Sequence, residues 1–206
     1  MAKYPVPGRV KTRLAAALGD ERACVLYRAF VLDLAERLAL LPYEVIWAYS
    51  PAAAPFAALL PRARCVAQVE GDLGVRMAHA VAVAFEEGAA PVLVLGADVP
   101  HVSAACLEEA AAAAATRVVL GPAEDGGYYL IGLARPVPEL FADVPWGGDG
   151  VLAATRAHAR RLGLETHLLA PTFDVDEPAD LERLRALVAG GSVMLPRTAA
   201  WLAAGS

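Results

Sequence analysis

Cysteine is scarce in this sequence: Cys24, Cys65 and Cys106 are three residues among 206. No two of them form a C-x-x-C pair, and an odd number argues against a framework of disulfides. The four histidines show neither an H-E-x-x-H motif nor close pairing, which argues against a zinc site. We expect the three thiols to be buried structural residues.

Long hydrophobic runs are also missing, although 57% of the residues are hydrophobic and only 20% are charged. No charge-free apolar stretch reaches about 18 residues, the length that a membrane-spanning helix needs. No apolar segment of the signal-peptide type opens the chain. We therefore expect a globular, cytoplasmic protein that does not contact a membrane, with a sizeable core.

Two catalytic motifs and a basic overall charge are absent as well. There is no G-x-G-x-x-G for a Rossmann dehydrogenase and no G-x-S-x-G for a serine hydrolase. The net charge is −5, whereas a general nucleic-acid binder needs a basic surface to neutralise phosphates. These three classes of protein are poor candidates.

The first thirteen residues nevertheless form a basic loop. Its charged side chains are all cations: Lys3, Arg9, Lys11 and Arg13. Two prolines and Gly8 stiffen the loop, and we expect a helix to begin near Val10, so that free amides and cations together bind an anion such as a di- or triphosphate. The alternative is a solvated surface loop. Under the phosphate hypothesis, Lys11→Glu should abolish nucleotide binding and leave the folded state nearly intact.

The hydrophobic pattern alternates between strands and helices, which predicts an α/β three-layer sandwich with a mainly parallel mixed sheet. Helices are predicted over 21–41 (with Asp20 as the N-cap), 55–60, 73–87, 104–115, 151–161 and 178–188. Strands are predicted over 44–49, 65–68, 91–96, 118–120, 128–133 and 166–169. We assign residues 1–189 to a nucleotide-binding domain and residues 190–206 to a weakly patterned C-terminal tail.

Acidic residues follow the predicted strands, where ligands bind in such sheets. Asp98 follows 91–96, the strand that we predict to be the most buried, and is a candidate Mg²⁺ ligand, or alternatively a capping or turn residue. Asp174, Asp176 and Glu177 precede the last predicted helix and offer a second group of hard oxygen ligands. Their alternative role is to interact with the dipole of that helix.

Two glycine-containing segments are further candidates. Asp125, Gly126 and Gly127 suit a loop that a substrate approaches closely, or merely a hairpin turn. In the segment from Gly71 to Arg76, glycines open a helix, and Arg76 is placed to reach a base or phosphate, or to form a surface salt bridge. Trp146 either closes a pocket or anchors its own loop.

Six segments together resemble the radical-SAM/selenodomain-associated transferases, a bacterial family in the nucleotide-diphospho-sugar transferase superfamily with the GT-A fold. The segments are KYPVPGRVKTRLA (3–15), QVEGDLGVRM (68–77), VLGADVP (94–100), GPAEDGGYYLIGL (121–133), PWGGDGVLAAT (145–155) and FDVDEPADLERL (173–184). They cover most of the chain in the expected order.

The resemblance implies a role for each matching residue. Lys3, Gly8, Arg9, Lys11 and Arg13 would hold the phosphates, and Gly74 and Arg76 would contact the nucleotide. Asp98 would be the principal ligand of Mg²⁺ (or Mn²⁺) and Asp176 the second, with Asp174 as its rival. Asp125, Gly126 and Gly127 would face the acceptor or sugar.

The sequence departs from the family at two places. Family members open with an apolar strand before the basic loop, whereas only Met1 and Ala2 precede Lys3 here, so we expect a truncated first strand. Gly147 and Gly148 stand where the family often has Ser-Thr.

We therefore expect a Mg²⁺-dependent transferase that uses a nucleoside triphosphate or nucleotide-sugar and a small-molecule acceptor, with Lys11, Arg13 and Asp98 as its catalytic residues. The lone Asp98 and the basic first loop favour nucleotidyl over glycosyl transfer. The rival hypothesis is a catalytically inactive nucleotide-binding protein of the same fold. The sequence is compatible with a homodimer.

Overall fold

A computed structural model of the chain describes residues 1–204 and has an α/β fold. The strands are β1 (Ala2–Lys3), β2 (Ile46–Ser50), β3 (Arg64–Ala67), β4 (Val92–Leu95), β5 (Val118–Pro122), β6 (Tyr128–Leu133) and β7 (Thr166–Leu168). The helices are α1 (Thr12–Leu18), α2 (Asp20–Leu38), α3 (Phe56–Leu59), α4 (Leu73–Glu86), α5 (Ala104–Ala114), α6 (Val151–Arg161), α7 (Pro178–Ala189) and α8 (Pro196–Ala204). Every element predicted from the sequence is present, with its ends within three residues.

The chain divides into two compact units. Unit 1 contains Met1–Ala67, Ala97–Ser103 and the segment from Asp174 onward, and unit 2 contains Gln68–Gly96 and Ala104–Phe173. No helix of residues 1–204 is long and apolar enough to cross a membrane.

Unit 1 is built on a three-stranded parallel sheet in the order β1-β2-β3. The first strand, predicted to be truncated, is present with two residues, and the carbonyl oxygen of Met1 accepts a hydrogen bond from the amide of Ala97 at 3.2 Å. Phe56 is fully buried and stacks on Tyr49 with ring centroids 5.0 Å apart. This sheet and the buried face of α2 supply the core of unit 1.

The start of α2 corrects one prediction. The N-cap is Gly19 rather than Asp20, and Asp20 is the first residue of the helix. Gly19 has φ 83°, a backbone conformation that glycine adopts without steric cost, and it separates α1 from α2. Asp20 and Glu21 then place negative charge in the first turn, where the helix dipole favours it.

The weakly patterned C-terminal segment contains α8, which a buried aspartate of α2 holds in place. Asp33 is fully buried, and its carboxylate accepts hydrogen bonds from the amides of Arg197 at 3.1 Å and Thr198 at 2.9 Å. These amides lie in the first turn of α8 and have no partner within the helix. Asp33 therefore caps α8 from a distant part of the sequence.

Asp33→Ala is expected to lower the free energy of unfolding by about 2 kcal/mol, since it removes a cap and leaves buried amides unpaired. The matched control is Glu36→Ala, which removes an exposed partner of Arg197 and should change stability by less than ~0.5 kcal/mol. Urea denaturation followed by circular dichroism measures both. Equal stability losses in the two variants would contradict the capping role.

Unit 2 is built on a four-stranded mixed sheet in the order β4-β6-β5-β7. Strand β6 is antiparallel to both of its neighbours, whereas β5 and β7 are parallel. With the parallel pairings of unit 1, these pairings confirm the mainly parallel, mixed arrangement predicted from the sequence, and the antiparallel strand β6 is what makes it mixed. Because β5 and β6 are consecutive antiparallel strands, residues 123–127 form a hairpin connection between them.

Candidate functional site

Lys11 is the centre of a charged cluster in unit 1. Its side chain is only 2% exposed, and its Nζ bonds Oδ1 of Asp98 and lies 2.9 Å from Oδ1 of Asp176. Lys11 is also the N-cap of α1 with φ 48° and ψ 45°, the left-handed region that a residue other than glycine rarely adopts. The cluster thus joins three segments that are far apart in the sequence.

Two aromatic rings of α2 complete the surroundings of the ammonium. Lys11 Nζ is 5.7 Å from the ring centroid of Tyr27 and 5.8 Å from that of Phe30. At such distances the faces of aromatic rings attract a cation. The hydroxyl of Tyr27 accepts a hydrogen bond from the amide of Lys3 at 3.0 Å, so α2 also holds the start of the basic loop.

Backbone contacts fix the two aspartates relative to each other. The amide of Val175 donates to the carbonyl oxygen of Asp98 at 3.0 Å, which pairs the two aspartate-bearing segments directly. Asp180 Oδ2 accepts hydrogen bonds from the amides of Asp176 at 3.2 Å and Glu177 at 2.9 Å. Glu177 is the N-cap of α7 and forms a capping box with Asp180, so these two acids hold the helix while Asp176 faces Lys11.

Arg37 of α2 braces the chain after Asp98. Its guanidinium donates to the carbonyl oxygens of Pro100 and Val102, the latter at 2.5 Å. Bonds to two carbonyls restrict where this loop, and hence Asp98, can lie.

The charges in the cluster stabilise one another. Burial alone would lower the pKa of Lys11, but Asp98 and Asp176 outweigh burial, and the pKa lies above its ordinary value. Partial burial would raise the pKa of Asp98, but the charge and hydrogen bond of Lys11 hold it below its ordinary value. Lys11 and Asp98 are therefore both charged at neutral pH.

The structure corrects the prediction that Lys11 is a surface residue whose charge can be reversed without harm to the fold. Lys3, Gly8, Arg9 and Arg13 are exposed, as expected of a loop open to ligands. Arg13 Nη1 lies 3.8 Å from Glu177 Oε1, and both of these side chains are more than half exposed.

Asp98 and Asp176 are suited in chemistry and exposure to a hard divalent cation. Their side chains are 45% and 39% exposed, and Mg²⁺ commonly uses one or two carboxylates with phosphates and waters as its other ligands. Among residues 1–204 no group of three or more histidine, cysteine, aspartate or glutamate side chains is placed to hold a metal ion. Two protein ligands are thus what this cluster offers.

In unit 2, Gly74 and Arg76 have structural partners within the chain. A Cβ at Gly74 would overlap the indole of Trp146 and the carbonyl oxygen of Phe141. Arg76 Nε donates to the carbonyl oxygen of Gly71 at 2.9 Å. Trp146 also packs edge-on against Tyr128, with ring centroids 6.3 Å apart. Trp146 therefore anchors its loop to α4, and the nucleotide contacts of Gly74 and Arg76 remain predictions.

Asp125, Gly126 and Gly127 form a tight turn. Asp125 Oδ1 accepts a hydrogen bond from the amide of Gly127 at 2.9 Å. Gly126 has φ 87°, and a Cβ there would overlap the backbone of Asp149. Its carbonyl oxygen accepts a hydrogen bond from the amide of Leu152 at 3.0 Å. These contacts explain both the turn and the glycine at 126, and the role of the three residues toward an acceptor stays a prediction.

Sequence reasoning missed three residues of the lysine cluster. Tyr27 and Phe30 are three residues apart in α2, a spacing that places them on one face of the helix and could have suggested a shared neighbour. Arg37 gave no signal, because its acceptors are backbone carbonyls more than 60 residues away.

Solved structures share this fold. A crystal structure of a proposed nucleotide-diphospho-sugar transferase from Desulfovibrio desulfuricans G20 is 37% identical, with a TM-score of 0.92 over 97% of this chain and 90% of that chain. The protein thus has the nucleotide-diphospho-sugar transferase fold. Residues 31–148 match the family described as "Uncharacterized protein conserved in bacteria (DUF2064)", and the chain belongs to this family.

Two more distant structures agree in fold. CMP:2-keto-3-deoxy-manno-octonic acid synthetase complexed with CTP is 16% identical, with a TM-score of 0.52 over 79% of this chain and 88% of that chain. A 4-diphosphocytidyl-2C-methyl-D-erythritol synthase is 18% identical, with a TM-score of 0.53 over 91% of this chain and 94% of that chain. A comparison with curated proteins gave no significant match.

Proposed function

We propose that the protein is a transferase that uses a nucleoside triphosphate or a nucleotide-sugar with Mg²⁺ (or Mn²⁺). The observation that carries the proposal is the convergence of Asp98, Asp176 and Lys11, which brings two carboxylates and a cation together from three separate segments of the chain. The fold supports it, since one structure with this fold was solved with CTP. We also propose that the protein is related to the radical-SAM/selenodomain-associated transferases, that it is cytoplasmic and that its acceptor is a small molecule.

In the nucleotidyl version, an oxygen of the acceptor attacks the α-phosphorus in line, and pyrophosphate leaves with the electrons of the broken phosphoanhydride bond. Lys3, Arg9 and Arg13 are exposed cations of one loop and would bind the phosphates. Lys11 would neutralise charge that develops on the leaving group. Asp98 and Asp176 would hold the divalent cation, which would supply positive charge to offset that of the phosphates.

The glycosyl version differs in the bond that breaks. The acceptor attacks the anomeric carbon of the sugar, and a nucleoside diphosphate leaves. The same cations serve either leaving group. We favour nucleotidyl transfer, because Asp98 stands alone rather than in a D-x-D motif and the first loop is strongly basic.

A thermal-shift screen with each nucleoside triphosphate and nucleotide-sugar, with and without Mg²⁺, tests the proposal. A ligand at about 100 times its dissociation constant should stabilise the protein by ~2.7 kcal/mol. Arg9→Met and Arg13→Met should weaken the response, whereas Arg28→Met, an exposed cation of α2, should not. If no nucleotide raises the melting temperature, the proposal fails.

A second measurement distinguishes an active enzyme from an inactive nucleotide-binding protein. The inactive protein is the rival because Lys11 pairs with both of the carboxylates that would hold the metal. The nucleotide found in the screen is incubated with the small-molecule fraction of a bacterial extract. Release of pyrophosphate or nucleoside diphosphate, lost in Asp98→Asn, supports the transferase. Binding without release supports the inactive protein.

A further inference from the structure

The atoms that would bind a divalent cation already carry a cation of the protein itself. Lys11 Nζ bonds Oδ1 of Asp98 and Oδ1 of Asp176 at the same time. A metal ion on those two oxygens and an ammonium on the same oxygens would stand within van der Waals distance of each other. Two like charges that close repel strongly in a partly buried place.

We infer that Lys11 competes with the divalent cation for Asp98 and Asp176, so that the metal binds only when the Lys11 side chain leaves the carboxylates; this inference rests on the proposed function. The ammonium keeps the two carboxylates together while the metal is absent. Without it, two like charges would face each other across the site and push the segments apart.

Phosphate provides the second partner that makes such an exchange favourable. Lys11 lies between Arg9 and Arg13 on the basic loop, so an anion bound by that loop would offer the Lys11 ammonium an alternative partner. Phosphate oxygens would replace the aspartates as partners of Lys11, and the metal would replace Lys11 as the partner of the aspartates. Nucleotide and metal then each favour the binding of the other, and this coupling is reciprocal.

The backbone conformation of Lys11 indicates that the position of its side chain matters. Its left-handed conformation is unfavourable for a residue with a side chain. Glycine or asparagine would relieve that cost but would bring no ammonium to the carboxylates. The surroundings that hold it are the rings of Tyr27 and Phe30 and the two carboxylates.

The sequence offers an unusually direct test, because Lys3 and Lys11 are its only lysines. Lys3 is exposed and Lys11 is buried. An amine-acylating reagent should therefore label Lys3 quickly and Lys11 slowly, and peptide mass spectrometry reports both rates from one chain. Lys3 serves as the internal control for reagent strength and ionic conditions.

The experiment compares acylation of the wild-type chain in chelator and in saturating Mn²⁺, without nucleotide and at constant ionic strength. Competition predicts that Mn²⁺ raises the labelling rate of Lys11 by about tenfold and leaves that of Lys3 unchanged. A second arm measures Mn²⁺ affinity by electron paramagnetic resonance. Lys11→Met should bind Mn²⁺ about tenfold more tightly than wild type, whereas Arg28→Met should bind it as wild type does.

Faster labelling of Lys11 in Mn²⁺ supports competition, and so does Mn²⁺ binding by Lys11→Met where the wild-type chain binds none; the absence of both overturns it. Mn²⁺ that binds through Asp176, as shown by loss of binding in Asp176→Asn, while Lys11 stays protected also overturns it. If Lys11→Met does not fold, the wild-type labelling decides alone. Because no nucleotide is used, failure here is distinct from failure of the proposed function, which the nucleotide screen decides.

Discussion

Lys11→Glu is expected to lower the free energy of unfolding by about 3 to 5 kcal/mol, because the new carboxylate would be an uncompensated charge at a position that is only 2% exposed. The substitution replaces the ammonium that bonds both Asp98 and Asp176 with a third carboxylate. It also removes a cation from the faces of Tyr27 and Phe30. Urea denaturation followed by tryptophan fluorescence gives the midpoint and the slope.

The matched control is Lys3→Glu, which reverses the other lysine of the same loop. Its side chain is exposed, so the free energy of unfolding should change by no more than about 0.5 kcal/mol. A Lys11→Glu variant as stable as Lys3→Glu would show that Lys11 is a solvated loop residue.

Gly126→Ala is expected to lower the free energy of unfolding by about 3 kcal/mol. Part of the loss comes from φ 87°, which a side chain tolerates poorly, and the larger part comes from overlap of the new Cβ with the backbone of Asp149. Thermal unfolding of the purified variant measures the effect.

Gly147 offers a control with the same backbone angle. Its φ is also 87°, but a Cβ there meets no atom within 4 Å. Gly147→Ala should therefore cost only the conformational part, about 1 to 2 kcal/mol. If the two alanine variants are equally stable, the close approach of Gly126 to the backbone of Asp149 does not contribute to the stability loss.

The sequence predicts the regular elements well where a single pattern determines them. The ends of α6 and β6 coincide with prediction, and α4 differs by one residue. Each of these segments carries its periodicity within its own residues, and glycines at 88 and 150 mark two of the boundaries. Local patterns of this kind are visible in one sequence.

Those local patterns do not indicate which distant segments of the chain contact each other. Asp98 and Asp176 were both selected because they follow or precede predicted elements, but no pattern shows that one ammonium joins them. The same limit hid the cap of α8, since Asp33 reads as one polar residue of an amphipathic helix. Loop charges are equally ambiguous: Lys11 and Arg13 look alike in the sequence, yet one is buried and the other exposed.

The sequence separation of the residues in the lysine cluster determines the order in which they are synthesised. Lys11 leaves the ribosome 87 residues before Asp98 and 165 residues before Asp176. At 5 to 20 residues per second, the second interval is roughly 10–30 s. Throughout that time the nascent chain carries an ammonium without its final partner, and water must solvate it. Unit 1 therefore cannot close around Lys11 until the chain has passed residue 176, so the charged cluster is among the last parts of the molecule to form.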